Sequence, residues 1–248
     1  MSPRFLLLPL LLALTGCATV PGERDPRDPW ESFNRGMYDF NTDFDNKILK
    51  PVAEGYVEVV PQTARTGVSN FFSNLGDVVV LANDLLQLKF RQAASDFSRL
   101  LWNTTVGIGG LIDVATPMGL TKHEEDFGQT LGYWGVGSGP YLVLPILGPS
   151  SLRDGTGLAV DYSQFNLLNE VESDGARYTL IGLGAVDTRA GLLRTTRLME
   201  QGALDPYLFM RESWLQMREN RVYDGNPPAP EFDFDEFEDL PPDEPPAQ

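Results

Sequence analysis

The chain has 248 residues, with one thiol, Cys17, and one imidazole, His123. One cysteine permits neither an intramolecular disulfide nor a thiolate metal cluster, and one histidine excludes a multi-histidine zinc site. A Ser-His-Asp relay would have to use His123, which stands beside Glu124, Glu125 and Asp126 and reads as a solvent-exposed residue at a helix entrance. Ser138 is followed by Gly139 and Pro140, without the flanking spacing of a nucleophile elbow. The glycines between Gly132 and Gly139 lack the Lys-Ser/Thr pair of a phosphate loop and the strand-then-helix setting of a dinucleotide fingerprint. Paired carboxylates leave glycan cleavage formally open, but in an acidic chain most carboxylates are simply solvated. The residue types support no catalytic constellation and call for no metal or cofactor.

Cys17 has a different chemistry. Met1 to Leu14 carries one early positive charge, Arg4, and an apolar run from Phe5 to Leu14, and then reads Leu14-Thr15-Gly16-Cys17. That is a secretory signal over residues 1–16, too short to span a bilayer as a mature helix. Small residues before the cysteine match a bacterial lipobox, in which the thiol takes a diacylglyceryl group and becomes the new N-terminus. Each buried acyl methylene contributes about 0.8 kcal/mol, and two or more chains anchor stably where one is marginal. Ala18 follows, where an Asp would favour retention in the inner membrane, so the expected address is the periplasmic face of the outer membrane.

Charge narrows the partners. The formal charge is −16, and losing Arg4 with the signal takes it to −17. Nine acidic residues and no basic one lie between Asp224 and Gln248, so the remaining body holds about half of that charge. An acidic chain without a basic stripe is a poor ligand for nucleic acid. It is also not drawn electrostatically to anionic headgroups, so membrane contact has to come from the lipid anchor and from apolar surface.

The elements read as mainly α, in one domain of short amphipathic helices. Residues 17–27 form a lipidated tether. Asp28-Pro29-Trp30-Glu31 gives a helix start with Asp as its cap. Trp30, Phe33, Asn34, Met37, Asn41 and Phe44 then recur at helical spacing. Pro51 and Pro61 bracket a second segment. Thr63–Asn74 and Val78–Leu88 read as further pieces, residues 91–105 as an amphipathic helix, and 176–194 and 206–222 as two more, the last opened by Asp205-Pro206. Between Phe127 and Gly157 the chain is rich in Gly and Pro around Tyr141–Leu147, which excludes a long regular helix there yet is too apolar for a solvated loop. Residues 226–248 read as a disordered acidic, Pro-rich tail, with Phe232, Phe234 and Phe237 leaving room for an acidic-aromatic docking strip. Nothing in the mature chain offers an uninterrupted apolar run long enough to span a bilayer.

Several stretches resemble the MlaA/VacJ lipoproteins in order and spacing. They include Lys50-Pro51-Val52-Ala53, Asn103-Thr104-Thr105, Gly110-Leu111-Ile112-Asp113, Glu125-Asp126-Phe127-Gly128-Gln129-Thr130-Leu131-Gly132, Gly139-Pro140-Tyr141-Leu142-Val143-Leu144-Pro145, Asp187-Thr188-Arg189 and Val222-Tyr223-Asp224-Gly225. The likeness covers residues 28–225, with Val78 standing where such sequences often carry Pro and Leu88 where they often carry Gly. It implies a ring-like helical body in the inner leaflet of the outer membrane, around an amphipathic channel. Phospholipid mislocalised to the outer leaflet would pass through it to a soluble periplasmic lipid carrier, beside a trimeric porin. The rival readings are a structural lipoprotein that supports porin assembly and an envelope hydrolase.

Under this resemblance, residues 128–149 form either a flexible wall of the lipid path or a buried structural hairpin. In the first case Tyr133, Trp134 and Tyr141 lie at the membrane interface, and Gly135, Gly137 and Gly139 supply the flexibility. Phe40 and Asn41 form either a gate or a core aromatic beside a helix-capping amide. For Cys17 the expectation is direct: Cys17→Ala abolishes incorporation of labelled palmitate and leaves the signal uncleaved. A variant that still incorporates the label removes the lipobox reading.

Overall fold

The computed structural model describes residues 25–202 and 204–228. Cys17, the signal and most of the tether lie outside the described residues, as does the acidic segment from 229 onward. The chain is fastened already at Arg27, whose carbonyl accepts from the Tyr141 N–H at 2.8 Å.

Helix α1 (Glu31–Phe44) begins at Trp30 without a side-chain cap. The expected cap, Asp28, is instead buried and takes Asn34 Nδ2 at 2.8 Å and Arg211 Nη1 at 3.1 Å. An ionised carboxylate removed from water gains more from a guanidinium and an amide than from a helix's first turn. One π-helical turn, Asp45–Leu49, carries α1 into α2 (Lys50–Val59), with Pro51 in the first turn where its missing N–H is tolerated. Val60 is extended (φ −94, ψ 121), as the residue before Pro61 must be. The two pieces expected over 63–88 are one helix, α3 (Gln62–Leu86). Leu88, at φ 61, then turns the chain into α4 (Phe90–Thr105), which packs back along α3.

Asp126 caps the short helix α5 (Phe127–Tyr133) through Gln129 N–H. An antiparallel hairpin follows, β1 (Tyr141–Leu144) with β2 (Gly148–Ser151), in the register Tyr141↔Ser151 to Leu144↔Gly148. Ser151 caps α6 (Leu152–Val160). Helix α7 (Asp174–Gly202) covers α2 and α3, and α8 (Pro206–Val222) opens as the sequence predicts, with Asp205 accepting from Leu208 N–H and Pro206 in the first turn.

Burial runs opposite to that of a water-soluble helical protein. Among the described residues the buried hydrophobic side chains are seven, whereas twenty-one buried side chains are polar or charged. On α3 the inward positions are Asn74, Asp77, Val80, Asn83 and Asp84, and on α4 they are Ala93, Asp96, Arg99 and Asn103. The outward stripe of α4 carries Phe90, Phe97 and Leu101, all about half-exposed or more. Both helices are amphipathic, but their polar faces meet each other.

Such an interior holds only where charges are matched. Arg218 on α8 reaches Asp126 Oδ2 at 2.6 Å and Asp154 Oδ1 at 2.8 Å, pinning α5 and α6 to one guanidinium. These two helices cross at glycines: a Cβ on Gly157 would stand 2.3 Å from the Gly128 nitrogen. Between α3 and α4 the pairing is carboxyl to carboxyl. Asp84 and Asp96 are both fully buried, and Asp96 Oδ2 also meets His123 Nδ1 at 2.7 Å. His123 is therefore partly buried and paired, not solvent-exposed as its sequence setting suggests. Burial, with the hydrogen bond to Asp96 next, pushes the Asp84 carboxyl far above the carboxylate range, so the pair holds a proton.

Two expectations follow from this packing. Gly157→Ala lowers stability by more than about 2 kcal/mol, since overpacking a backbone crossing has no room to relax; the control Gly182→Ala, which meets nothing within 4 Å, is neutral or mildly stabilising. Equal melting temperatures for the two variants would contradict the crossing. For Asp84, the folded state binds the proton more tightly than the unfolded chain does. Its stabilisation is complete below 3.8 and is lost as pH rises through about 8. In a maltoside micelle the melting temperature therefore falls from about pH 6 to about pH 9, and Asp84→Asn flattens that slope. Parallel slopes in the two proteins would exclude the shared proton.

Candidate functional site

Two asparagines on α1 hold the hairpin. Asn34, fully buried, donates Nδ2 to the Tyr141 carbonyl at 3.0 Å and accepts from Val143 N–H at 2.9 Å. Asn41 donates to the Leu144 carbonyl at 2.9 Å and accepts from Ile146 N–H at 2.7 Å. Seven helical residues advance about 10.5 Å, and the three residues from Val143 to Ile146 span about 10 Å of extended chain. The two amides thus match the edge of β1 and stand in for a third strand. Asn41 is not a helix cap, since its amide is committed to the hairpin. Phe40 beside it is 51% exposed, so it is not a core aromatic.

Tyr141 is fully buried, as the structural-hairpin alternative has it and not at the interface position of the flexible-wall alternative. Its ring packs edge-on to Trp214 and Tyr207, with Tyr38 beside Tyr207. The Tyr207 hydroxyl bonds Asp28, and Arg35 lies 4.4 Å over the Tyr207 ring. Burial raises the Tyr141 and Tyr207 phenols above their usual range, so both stay neutral.

Tyr133 and Trp134 do lie on the surface, at 48% and 60% exposure. They stack edge-on at 5.9 Å, and Trp134 Nε1 donates to the Leu86 carbonyl at 3.1 Å. The indole is thereby fastened to the α3–α4 corner, where Leu85, Leu86, Leu88 and Phe90 are also exposed. The loop between Trp134 and the hairpin turns at Gly135 (φ +88) and Gly139 (φ +68), conformations costly to any residue with a Cβ. Gly137 lies in open space with an ordinary backbone.

A cleft of about 180 Å³ opens between the hairpin and α8. Leu144, Leu147, Leu158 and Met217 supply its apolar lip, while Asp126, Asp154 and Arg218 supply a charged side. A molecule with a polar and an apolar end would meet its complement there. Among the described residues no group of three or more His, Cys, Asp or Glu side chains is arranged to hold a metal. The sequence drew notice to Tyr133, Trp134 and the glycines, and it placed Asn34 and Asn41 on one helical face. It did not single out Arg218, Asp84 or Asp96, because a charge inside a helical pattern reads first as a solvated one.

Comparison with known proteins adds relatives along most of the body. The model described as MlaA lipoprotein matches residues 26–221. The chain is 41% identical over 210 residues to the intermembrane phospholipid transport system lipoproteins MlaA of Escherichia coli (strain K12) and Shigella flexneri, covering 82% of this chain and 82% of each relative. The Haemophilus influenzae protein of that name is 34% identical over 233 residues, covering 91% of this chain and 93% of its own. A solved chain from "Structural basis for maintenance of bacterial outer membrane lipid asymmetry" superposes with a TM-score of 0.68 at 37% identity, covering 82% of this chain and all of that one. With the helical body, the asparagine-held hairpin and the matching stretches in one continuous span, the chain belongs to the MlaA lipoprotein family.

Proposed function

We propose that this chain clears mislocalised phospholipid from the outer leaflet of the outer membrane and passes it to a soluble periplasmic carrier, with no chemical step. The lipid-anchored body sits in the inner leaflet beside a trimeric porin. The observation that carries this reading is the inverted burial. A protein whose polar faces turn inward and whose Phe, Leu and Trp side chains turn outward is matched to an apolar surrounding, and a polar interior is chemically closer to a charged headgroup than an apolar core would be. Among the described residues no helix is long and apolar enough to cross a membrane, which fits short helices lying at the depth of one leaflet. Exposed Tyr133 and Trp134 suit the headgroup level, where an amphipathic ring is favoured. The names of the relatives, which speak of intermembrane phospholipid transport, agree with this reading.

Transport of this kind requires backbone that can yield without unfolding. The Gly135–Gly139 loop, fastened at Trp134 on one side and at the hairpin on the other, serves as the yielding wall of the lipid path.

The test uses cells lacking this gene and a membrane-impermeant amine reagent that reads aminophospholipid on the surface. Surface labelling rises in the deletion and returns to the parental level with the wild-type chain. The Gly135→Ala/Gly137→Ala/Gly139→Ala variant reaches normal abundance yet restores labelling only partly, since two of its three positions lose a left-handed conformation worth about 1 kcal/mol each. No rise in the deletion would overturn the transport reading. Full restoration by the triple variant would overturn the role of the loop.

A further inference from the structure

Beside Tyr133 and Trp134, at the α3–α4 corner, lies a groove of about 770 Å³ that the cleft described above does not include. Its walls bring together Leu88, Lys89, Phe90, Arg91, His123 and Asp224. In a chain of formal charge −16, two cationic side chains, Lys89 and Arg91, thus line one groove. Among the described residues no acid is paired with Arg91, while Lys89 Nζ lies between Glu125 Oε1 at 3.0 Å and Asp224 Oδ1 at 2.6 Å. Glu125 is buried and serves Lys89 from below; Asp224 is half-exposed and meets Lys89 through Oδ1. A guanidinium without an acidic partner and a half-exposed carboxylate therefore line one recess.

The rim is apolar, and at a conformational cost. Leu88 adopts φ 61, a region that penalises a side chain by about 1–2 kcal/mol. Its side chain is 55% exposed and Phe90 is 65% exposed, so within the protein neither gains the burial that would offset this. Lys89 also sits 5.8 Å over the Tyr133 ring, which joins the groove to the exposed aromatic pair.

We propose that this groove binds the headgroup of a zwitterionic glycerophospholipid, with Arg91 on the phosphodiester, Asp224 on the ammonium, and Leu88 and Phe90 against the first acyl methylenes. The assignment rests on the transport reading above and adds to it a place and a headgroup preference. The volume lies within the range of ordinary ligand pockets, about 300–1,000 Å³. An anionic lipid would satisfy Arg91 but face Asp224 with like charge, so charge complementarity favours the zwitterion. The first turn of α4, whose N-cap Lys89 offers its N–H groups no side-chain cap, adds partial positive charge on the phosphate side.

The experiment is equilibrium dialysis of the purified full-length lipoprotein in maltoside micelles against dihexanoyl phosphatidylethanolamine, dihexanoyl phosphatidylglycerol and free phosphoethanolamine. The wild-type chain prefers the ethanolamine lipid to the glycerol lipid and to the tail-less head. Arg91→Glu weakens both lipids by about tenfold or more, the scale of one lost charge-assisted contact. Asp224→Asn weakens the ethanolamine lipid alone, down to the level of the glycerol lipid. Arg91 is exposed and Asp224 lies beyond α8, so both variants fold. Equal affinities in the wild type and Arg91→Glu overturn the site, and so does equally tight binding of free phosphoethanolamine. Large gains in affinity on truncation after Pro228 also overturn it, by assigning the groove to the acidic tail. The surface-labelling assay keeps the two readings apart. A wild-type chain that clears surface lipid but shows no headgroup preference loses the groove and keeps the transport; one that discriminates the heads yet clears nothing keeps the groove and loses the transport.

Discussion

Charge taken out of water has to find charge, and the architecture depends on how that is arranged around a few guanidinium groups. Arg218 meets Asp126 and Asp154 together; Arg211 meets Asp28 and Asp25; Arg189 meets Asp45. Each link joins segments far apart in the chain, so the body is closed by ion pairs where a soluble bundle would be closed by leucines. Buried pairs contribute little net stability over an apolar alternative, but removing one partner costs about 3–5 kcal/mol. They act as an all-or-none fastening. The small aromatic core of Tyr141, Tyr207 and Trp214 is local to the hairpin and α8 and does not extend through the body.

The same constraint explains how much of the structure could be read from the chain. Helix positions followed from period and punctuation: Asp205-Pro206 opened α8 as expected, and the amphipathic pattern over 91–105 became α4. Asp28-Pro29 carried the same signal as Asp205-Pro206 yet is no cap, because Arg211 and Tyr207 bind the carboxylate first. Periodicity shows that a helix has two faces. It does not show which one turns inward, and the usual assumption of apolar-in is the reverse of what α3 and α4 do. Tyr141 illustrates the limit: its apolar, Gly/Pro-rich setting suggested the membrane interface, whereas the amide of Asn34 draws its strand into the interior. His123 reads as a surface residue because the sequence around it is polar, and its partner Asp96 lies 27 positions away.

Outward apolar faces and an inward polar lining have a joint consequence for lipid handling. The interior does not compete with a headgroup for burial, since its own carboxylates and amides are largely committed to one another. The exterior needs no single large apolar patch, since Phe97, Leu101 and Trp102 on α4 and Phe33 and Phe40 on α1 are spread over separate helices. A body of this kind is better matched to an apolar surrounding than to water.

Two tethers differ from one in a mechanical sense. Had only Asn34 bound the hairpin, the strand could pivot about that point; with Asn41 two helical turns further on, β1 and α1 become a single rigid lever. The outer flank of that lever carries Trp30, Phe33 and Phe40, all exposed, so an apolar surrounding would press on it directly. A change of tilt in α1 is then transmitted to the hairpin as the same angle, undiminished by any hinge. A load on α1 would therefore be felt at Ile146 and at Leu144, on the lip of the neighbouring cleft, without any ligand binding at all.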